Sequence, residues 1–229
     1  KAYAESKGID LIPGTELTAV LDSQDIHILG YFFDHTNLPL NLALQEQSKI
    51  RHSRAKSILK KLQAHGINIS YERVLANAKG GVLGRPHIAQ AMVQEEYVSN
   101  FAEAFSKFLG DNGAAFVERK GHSPEQIITI IKNAGGIPVL AHPYASKCDD
   151  IIPGLKEAGL VGIETYSHLQ KGPINRKYKE IAKKYDLVES GGSDFHSFDS
   201  GCDIGALKIP YEVVENLLDR LERDKAEWF

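Results

Sequence analysis

Short apolar runs bounded by turn residues recur along the chain at 9–13, 26–31, 137–141, 161–163 and 187–190. Runs of this length predict strands of a parallel sheet buried on both faces. Helical patterns fill the intervals. The segment 123–134 opens with Ser123 as N-cap, Pro124 at the first position and Gln126 completing a capping box, and 175–185 follows Pro173; both are helix-start signals. Residues 211–223 have the spacing of an amphipathic helix that closes a domain. The repeating unit is strand, polar tip, helix. In a βα barrel the active site is assembled at the C-terminal ends of the strands, so the polar residues beside these runs are the ones to examine.

Between residues 41 and 112 the pattern changes to helix almost throughout, broken at Gly66, Gly80–Gly81 and Gly110. This predicts barrel segments at 1–40 and 113–229 separated by a helical insertion at 41–112. Arg51, Arg54, Lys56, Lys60 and Lys61 share one stretch of it and read mainly as a solvated helix face, with a strand-binding patch as the alternative. Residues 1–7 read as helix ending at Gly8, without an initiator Met, which gives the expectation of a chain that begins inside a fold.

Composition narrows the function. With 229 residues, 42% of them hydrophobic, the chain can bury one barrel-sized core. A net charge of -3 and a pI near 6.3 argue against a broad cationic surface for duplex DNA. A phosphorylated small molecule or the end of a single strand fits better. No apolar run approaches the roughly 18 residues of a membrane span, and Cys148 and Cys202 form no metal-spaced pattern. The compartment expected is the reducing cytoplasm.

The chemistry sits in a few places. Glu16 follows Pro13-Gly14-Thr15, a turn that would project a carboxylate over a barrel mouth, although one acid near a glycine is also a common solvated loop. His27, inside an apolar run, serves either as a metal ligand or as a hydrogen-bonded core residue. His142 is sharper, a buried strand ending in an imidazole with Pro143 fixing the chain direction after it. Ser190-Gly-Gly-Ser-Asp194-Phe-His196 places two ligand types at alternate positions after glycines that permit a tight turn. Arg85-Pro86-His87 opens a helix, so that it reads equally as a phosphate clamp and as helix-start chemistry. Glu164, Tyr166 and His168 follow another strand as substrate-lining candidates. Ligation by His, Asp and Glu without thiolate suits Mn, Fe(II), Zn or Mg in a hydrolytic site.

In order, Pro-Gly-Thr-Glu16-Leu, Asp-Ile-His27-Ile-Leu-Gly-Tyr, Gly-Arg-Pro-His87-Ile-Ala, Val-Leu-Ala-His142-Pro and Gly-Gly-Ser-Asp194-Phe-His196 resemble the PHP (polymerase and histidinol phosphatase) family, in its branch with a helical insertion before the Ala-His-Pro motif. The resemblance implies an α/β fold, a distorted (β/α)7 TIM-like barrel, and two or three divalent metal ions, manganese first, with Zn, Fe or Mg as alternatives. It implies hydrolysis of 3',5'-nucleoside bisphosphates or trimming of short RNA from its 5' end, and other members dephosphorylate histidinol phosphate. By the family's pattern Glu16 bridges two metals, His27 and His142 complete one site, Asp194 joins Glu16 at a second, and His196 serves a third. Asp194 and His196 are then the catalytic candidates, and Arg85, His87 and His168 the phosphate contacts. The family's opening His-x-His pair, nearby acid and Asp-His motif precede Glu16, and nothing before Glu16 here matches them; the first strands are therefore expected to be missing. A metal-dependent amide or deaminase hydrolase and a non-catalytic metal-binding scaffold are the rival readings.

Overall fold

The computed structural model describes residues 2–167, 172–195 and 203–228. They divide into two compact units, one formed by Lys1–Asn41 with His122–Phe229 and the other by Leu42–Gly121.

The first unit is mixed α/β, built on a five-stranded sheet in the order β1 (Gly14–Leu21), β2 (Gln24–Tyr31), β3 (Ile137–Leu140), β4 (Gly162–Ser167) and β5 (Val188–Gly192). Strands β3, β4 and β5 run parallel, as their apolar runs suggested. The β1–β2 end departs from expectation: β2 is antiparallel to both neighbours, and residues 9–13 form no strand, with Ile9 and Leu11 exposed. The reason is local. Asp22 and Ser23 both take positive φ, 47° and 64°, the backbone of a two-residue hairpin turn whose twist matches its strands. On that hairpin Leu17, Ala19, Ile26 and Ile28 are at most 1% exposed, while the alternate residues are only half-buried. One face alone is buried, and it packs on helix Pro124–Asn133.

That helix starts as its sequence dictates. The Ser123 hydroxyl accepts the Gln126 N–H, the Gln126 side chain accepts the Ser123 N–H at 2.9 Å, and Ile127, Ile128 and Ile131 are buried. Helix Pro173–Lys184 covers β4, and helix Glu212–Trp228 covers β5, adding Val213, Leu217 and Leu221 to a core with Ile137, Val139 and Val161.

The helical unit contains most of helix Leu38–Ala64, then Tyr71–Ala78, Arg85–Gln94, Phe101–Ala104 and a π-helical turn at Phe105–Leu109. Breaks fall at the expected glycines, with φ of 78° at Gly66 and 79° at Gly80. Its core holds Ile58, Leu62, Val74, Ile88, Met92 and Leu109. Residues 113–121 belong here and not to the sheet unit, because Ala115 is buried in this core, Val117 packs against it, and Arg54 Nε donates to the Val117 carbonyl at 3.2 Å. Among the described residues no helix is long and apolar enough to cross a membrane.

Candidate metal centre

Register explains how the hairpin presents two of its polar residues together. Glu16 pairs with Leu29 and Thr18 with His27; directly opposed residues, and residues two apart, share a face of a sheet. Glu16 and His27 therefore stand on one face, opposite buried Leu17, Ala19, Ile26 and Ile28. Glu16 is thus a strand residue, the third of β1, and not the tip of a loop. His142 arrives from the end of β3, directly after Ala141, whose N–H donates to the His27 carbonyl at 3.0 Å.

The three side chains meet. Glu16 Oε1 lies 2.7 Å from His27 Nδ1 and 3.3 Å from His142 Nε2, and the two ring nitrogens are 3.2 Å apart. The rings meet edge-on, with centroids 5.0 Å apart and planes at 80°. One oxygen and two imidazole nitrogens converging in this way are a donor set for a divalent transition metal.

Electrostatics agree with that fit. Burial pushes the Glu16 carboxyl up, but hydrogen bonds from His142 and His27 and their charge outweigh it and hold the group well below the usual carboxylate range. Burial pushes His142 down; its hydrogen bond to Glu16, with the negative charge of Glu16, Glu164 and Asp194, brings it above its ordinary value. Burial also raises Glu164 to about 7, reinforced by Asp194 and Glu16 and opposed by the hydrogen bond and charge of His142. Three carboxylates around two imidazoles favour added positive charge, whether from protons or from a cation.

His142 is held by its backbone. It adopts φ 28° and ψ 57°, sparsely populated for a residue with a side chain, and its N–H donates to Glu164 Oε2 at 2.7 Å. Its ring Nδ1 is buried and finds no hydrogen-bond partner among the described residues. Glu164, only 8% exposed, sits beside a bulge in β4 where Thr165 is extra; bulges of this kind re-aim side chains next to functional sites. Across the bulge, a Cβ on Gly191 would lie 2.4 Å from Tyr166 Cβ and 2.6 Å from its carbonyl oxygen. The expected tight turn at the glycines is therefore replaced by close strand approach, and the left-handed residue is Asp194, with φ 52°.

Other sequence candidates fall elsewhere. Arg85 is the first residue of its helix, after the N-cap Gly84, with Pro86 second. Its Nη1 donates to the Leu109 carbonyl at 3.1 Å and to Asp111 Oδ1 at 3.2 Å, and Arg119 Nη2 reaches the same oxygen at 2.7 Å. His87 Nδ1 accepts the Gly84 N–H at 3.0 Å. Both residues organise the start of a helix in the helical unit. His168 and His196 lie outside the described residues. Sequence reasoning treated Glu164 only as a lining residue and passed over Tyr31, whose hydroxyl is 3.3 Å from Ser190 Oγ and which burial pushes up to about 12. Glu164 and Tyr166 lie inside β4 and not after it, because the strand continues to Ser167.

No family model matches the chain. Over 198 residues, however, it is 35% identical to a 5'-3' exoribonuclease of Haemophilus influenzae, covering 84% of this chain and 72% of that protein. The chain belongs to the PHP family of metal-dependent phosphoesterases. Among PHP relatives it is also 27% identical over 211 residues to a 3',5'-nucleoside bisphosphate phosphatase of Chromobacterium violaceum, covering 89% of this chain and 74% of the other. A proposed metal-dependent phosphoesterase from Bifidobacterium adolescentis superposes with a TM-score of 0.83 at 26% identity, over 96% of this chain and 79% of that one. This PHP chain is accordingly a hydrolase of phosphate esters.

Proposed function

We propose that this PHP protein hydrolyses phosphate esters of nucleotides or of short RNA 5' ends in the cytoplasm, with 3',5'-nucleoside bisphosphate as its small substrate, on a distorted (β/α)7 barrel. The observation that carries the reading is the convergence of Glu16, His27 and His142 within 4.8 Å, in a chain related to enzymes named for nucleotide and RNA hydrolysis. These three residues would hold one divalent ion, manganese in our assignment, with Asp194 and His196 contributing to further positions. A bound ion of this kind supplies Lewis acidity toward a phosphoryl oxygen and a nucleophilic water at neutral pH.

The chain's own residues prepare that chemistry. Glu16 stays ionised at neutral pH because both imidazoles favour its charged form. Tyr31 keeps its proton and adds no negative charge. Glu164 fixes the direction of His142. Asp194 and His196 are the catalytic residues in this proposal, through the further ions that they would hold. Arg85, with His87 and His168, is assigned to substrate phosphate on the strength of the sequence pattern.

The test is phosphate release from 3',5'-nucleoside bisphosphate with added Mn, for this chain and for a form extended upstream with the family's opening motifs. Release by the extended form that is abolished in its Asp194→Ala, His196→Ala variant supports the reading. No release from that ester, from histidinol phosphate or from 5'-phosphorylated RNA, alongside a metal-induced rise in melting temperature, would show a metal-binding scaffold instead.

A further inference from the structure

Charge is segregated along this chain. Residues 42–121 carry 12 Lys and Arg against 7 Asp and Glu, whereas the remaining residues carry 15 against 23. The net charge of -3 therefore conceals a basic helical unit.

Its basic side chains are partly ordered in a row. Lys49, Lys56 and Lys60 of helix Leu38–Ala64 are all exposed, and the helical repeat brings them within an arc of about 40°. Successive members rise about 10 Å and about 6 Å along the axis, spacings on the scale of phosphates in an extended strand. The reverse side of the helix is fixed by buried Ala55, Ile58, Leu59 and Leu62, so the row is held on a rigid element. Among the described residues none of the three lysines pairs with an acid, whereas Glu95, Glu103 and Asp111 of this unit engage Arg73, Lys107 and the Arg85–Arg119 pair. Lys56 Nζ lies 4.8 Å from the ring centroid of Tyr71, which in turn packs edge-on against His52. Ammonium groups beside aromatic rings are the elements from which single-strand binding surfaces are made.

We infer that the Lys49–Lys56–Lys60 face binds the sugar-phosphate backbone of single-stranded RNA. This rests on the function proposed above and narrows it, making an oligonucleotide and not a mononucleotide the preferred substrate.

The test uses a short, 3'-labelled, 5'-phosphorylated single-stranded RNA, titrated by fluorescence anisotropy with metal-free protein across a range of salt. Each phosphate contact contributes about -0.7 to the slope of log K against log salt on a single strand. The Lys49→Gln, Lys56→Gln, Lys60→Gln variant should therefore flatten the slope by about 2 and weaken binding by about tenfold or more. Unchanged affinity and slope in the variant, or absence of RNA binding by the native chain, overturns the inference. Bisphosphate turnover is measured on the same preparations because that substrate has no strand beyond its 3'-phosphate. Failure of the native protein there fails the phosphoesterase reading, whereas normal turnover with a salt slope indifferent to the three lysines fails the RNA-binding face alone.

Discussion

The two halves of the sheet deliver their side chains to the metal centre in different ways. In the antiparallel half, Glu16 and His27 project from regular strands, aligned by pairing register and by an apolar face buried against helix Pro124–Asn133. In the parallel half nothing is regular at the site: His142 has φ 28°, Glu164 adjoins a bulge, and Asp194 has φ 52°. The first half needs only alternation and a core. The second needs specific groups to hold unfavourable backbone in place, and it should be the half that fails first when those groups are changed.

The largest effect is expected at Gly191. A Cβ there meets the Tyr166 backbone and Cβ below 3 Å, and backbone on both sides leaves no cheap relaxation. Gly191→Ala should destabilise the protein by about 3 kcal/mol in urea unfolding, whereas a loss under about 0.5 kcal/mol, typical of an unconstrained surface site, would mean that the bulge adapts.

Next comes Glu164. Removing an acceptor that only supports a ligand typically lowers metal affinity by about 10–100-fold. Glu164→Ala should fall in that range by calorimetric Mn titration, while Glu164→Gln, which keeps an acceptor for the His142 N–H, should lose much less. Equal losses in the two variants would assign the effect to charge and not to positioning.

Proton linkage separates the halves further. In metal-free protein the raised His142 contributes stability below its unfolded value of 6.5, and that contribution is lost as pH rises through its folded value. Glu164, raised from 4.5 to about 7, retains in the folded state a proton that the unfolded chain releases, so stability again falls as pH rises across that window. The depressed Glu16 acts oppositely: its contribution is present above 4.5 and is lost only in strong acid. The melting temperature of the metal-free protein should therefore drop by a few degrees between pH 5 and pH 8, and saturating Mn should reduce or reverse the drop. A metal-free melting temperature that climbs steadily over this range would contradict the assignment.

The smallest effect belongs to the regular half. Ser123→Ala removes the cap of the helix beneath the hairpin and should cost about 1 kcal/mol in thermal unfolding, with metal affinity unaltered. A large fall in affinity would show that the hairpin is less self-sufficient than its register implies.

What was legible in the sequence follows the same division. The helix at 124–133 was readable to the residue because Ser123, Pro124 and Gln126 state their capping chemistry locally. Strand β3 and its end at His142 could be read because a continuous apolar run ends sharply at a polar residue, whereas β4 continues past its apolar run through Glu164 to Ser167 and β5 past its own to Gly192. The hairpin was not, because Asp22-Ser23 adopts a turn usually signalled by glycine, and the alternation of Leu17 and Ala19 with Glu16 and Thr18 was obscured by the more apolar but exposed 9–13 segment. Glu164's hold on His142 depends on a contact between positions 22 residues apart, which no local pattern encodes.

The central claim is that Glu16, His27 and His142 form one metal site, and calorimetric titration of Mn into metal-free protein tests it most directly, comparing the native chain with its Glu16→Ala, His27→Ala and His142→Ala variants. The account predicts saturable binding by the native chain and a loss of about 100-fold or more in each variant, at or beyond the upper end of what supporting residues cost. Native-like binding in the variants, or no binding by the native chain, would contradict it.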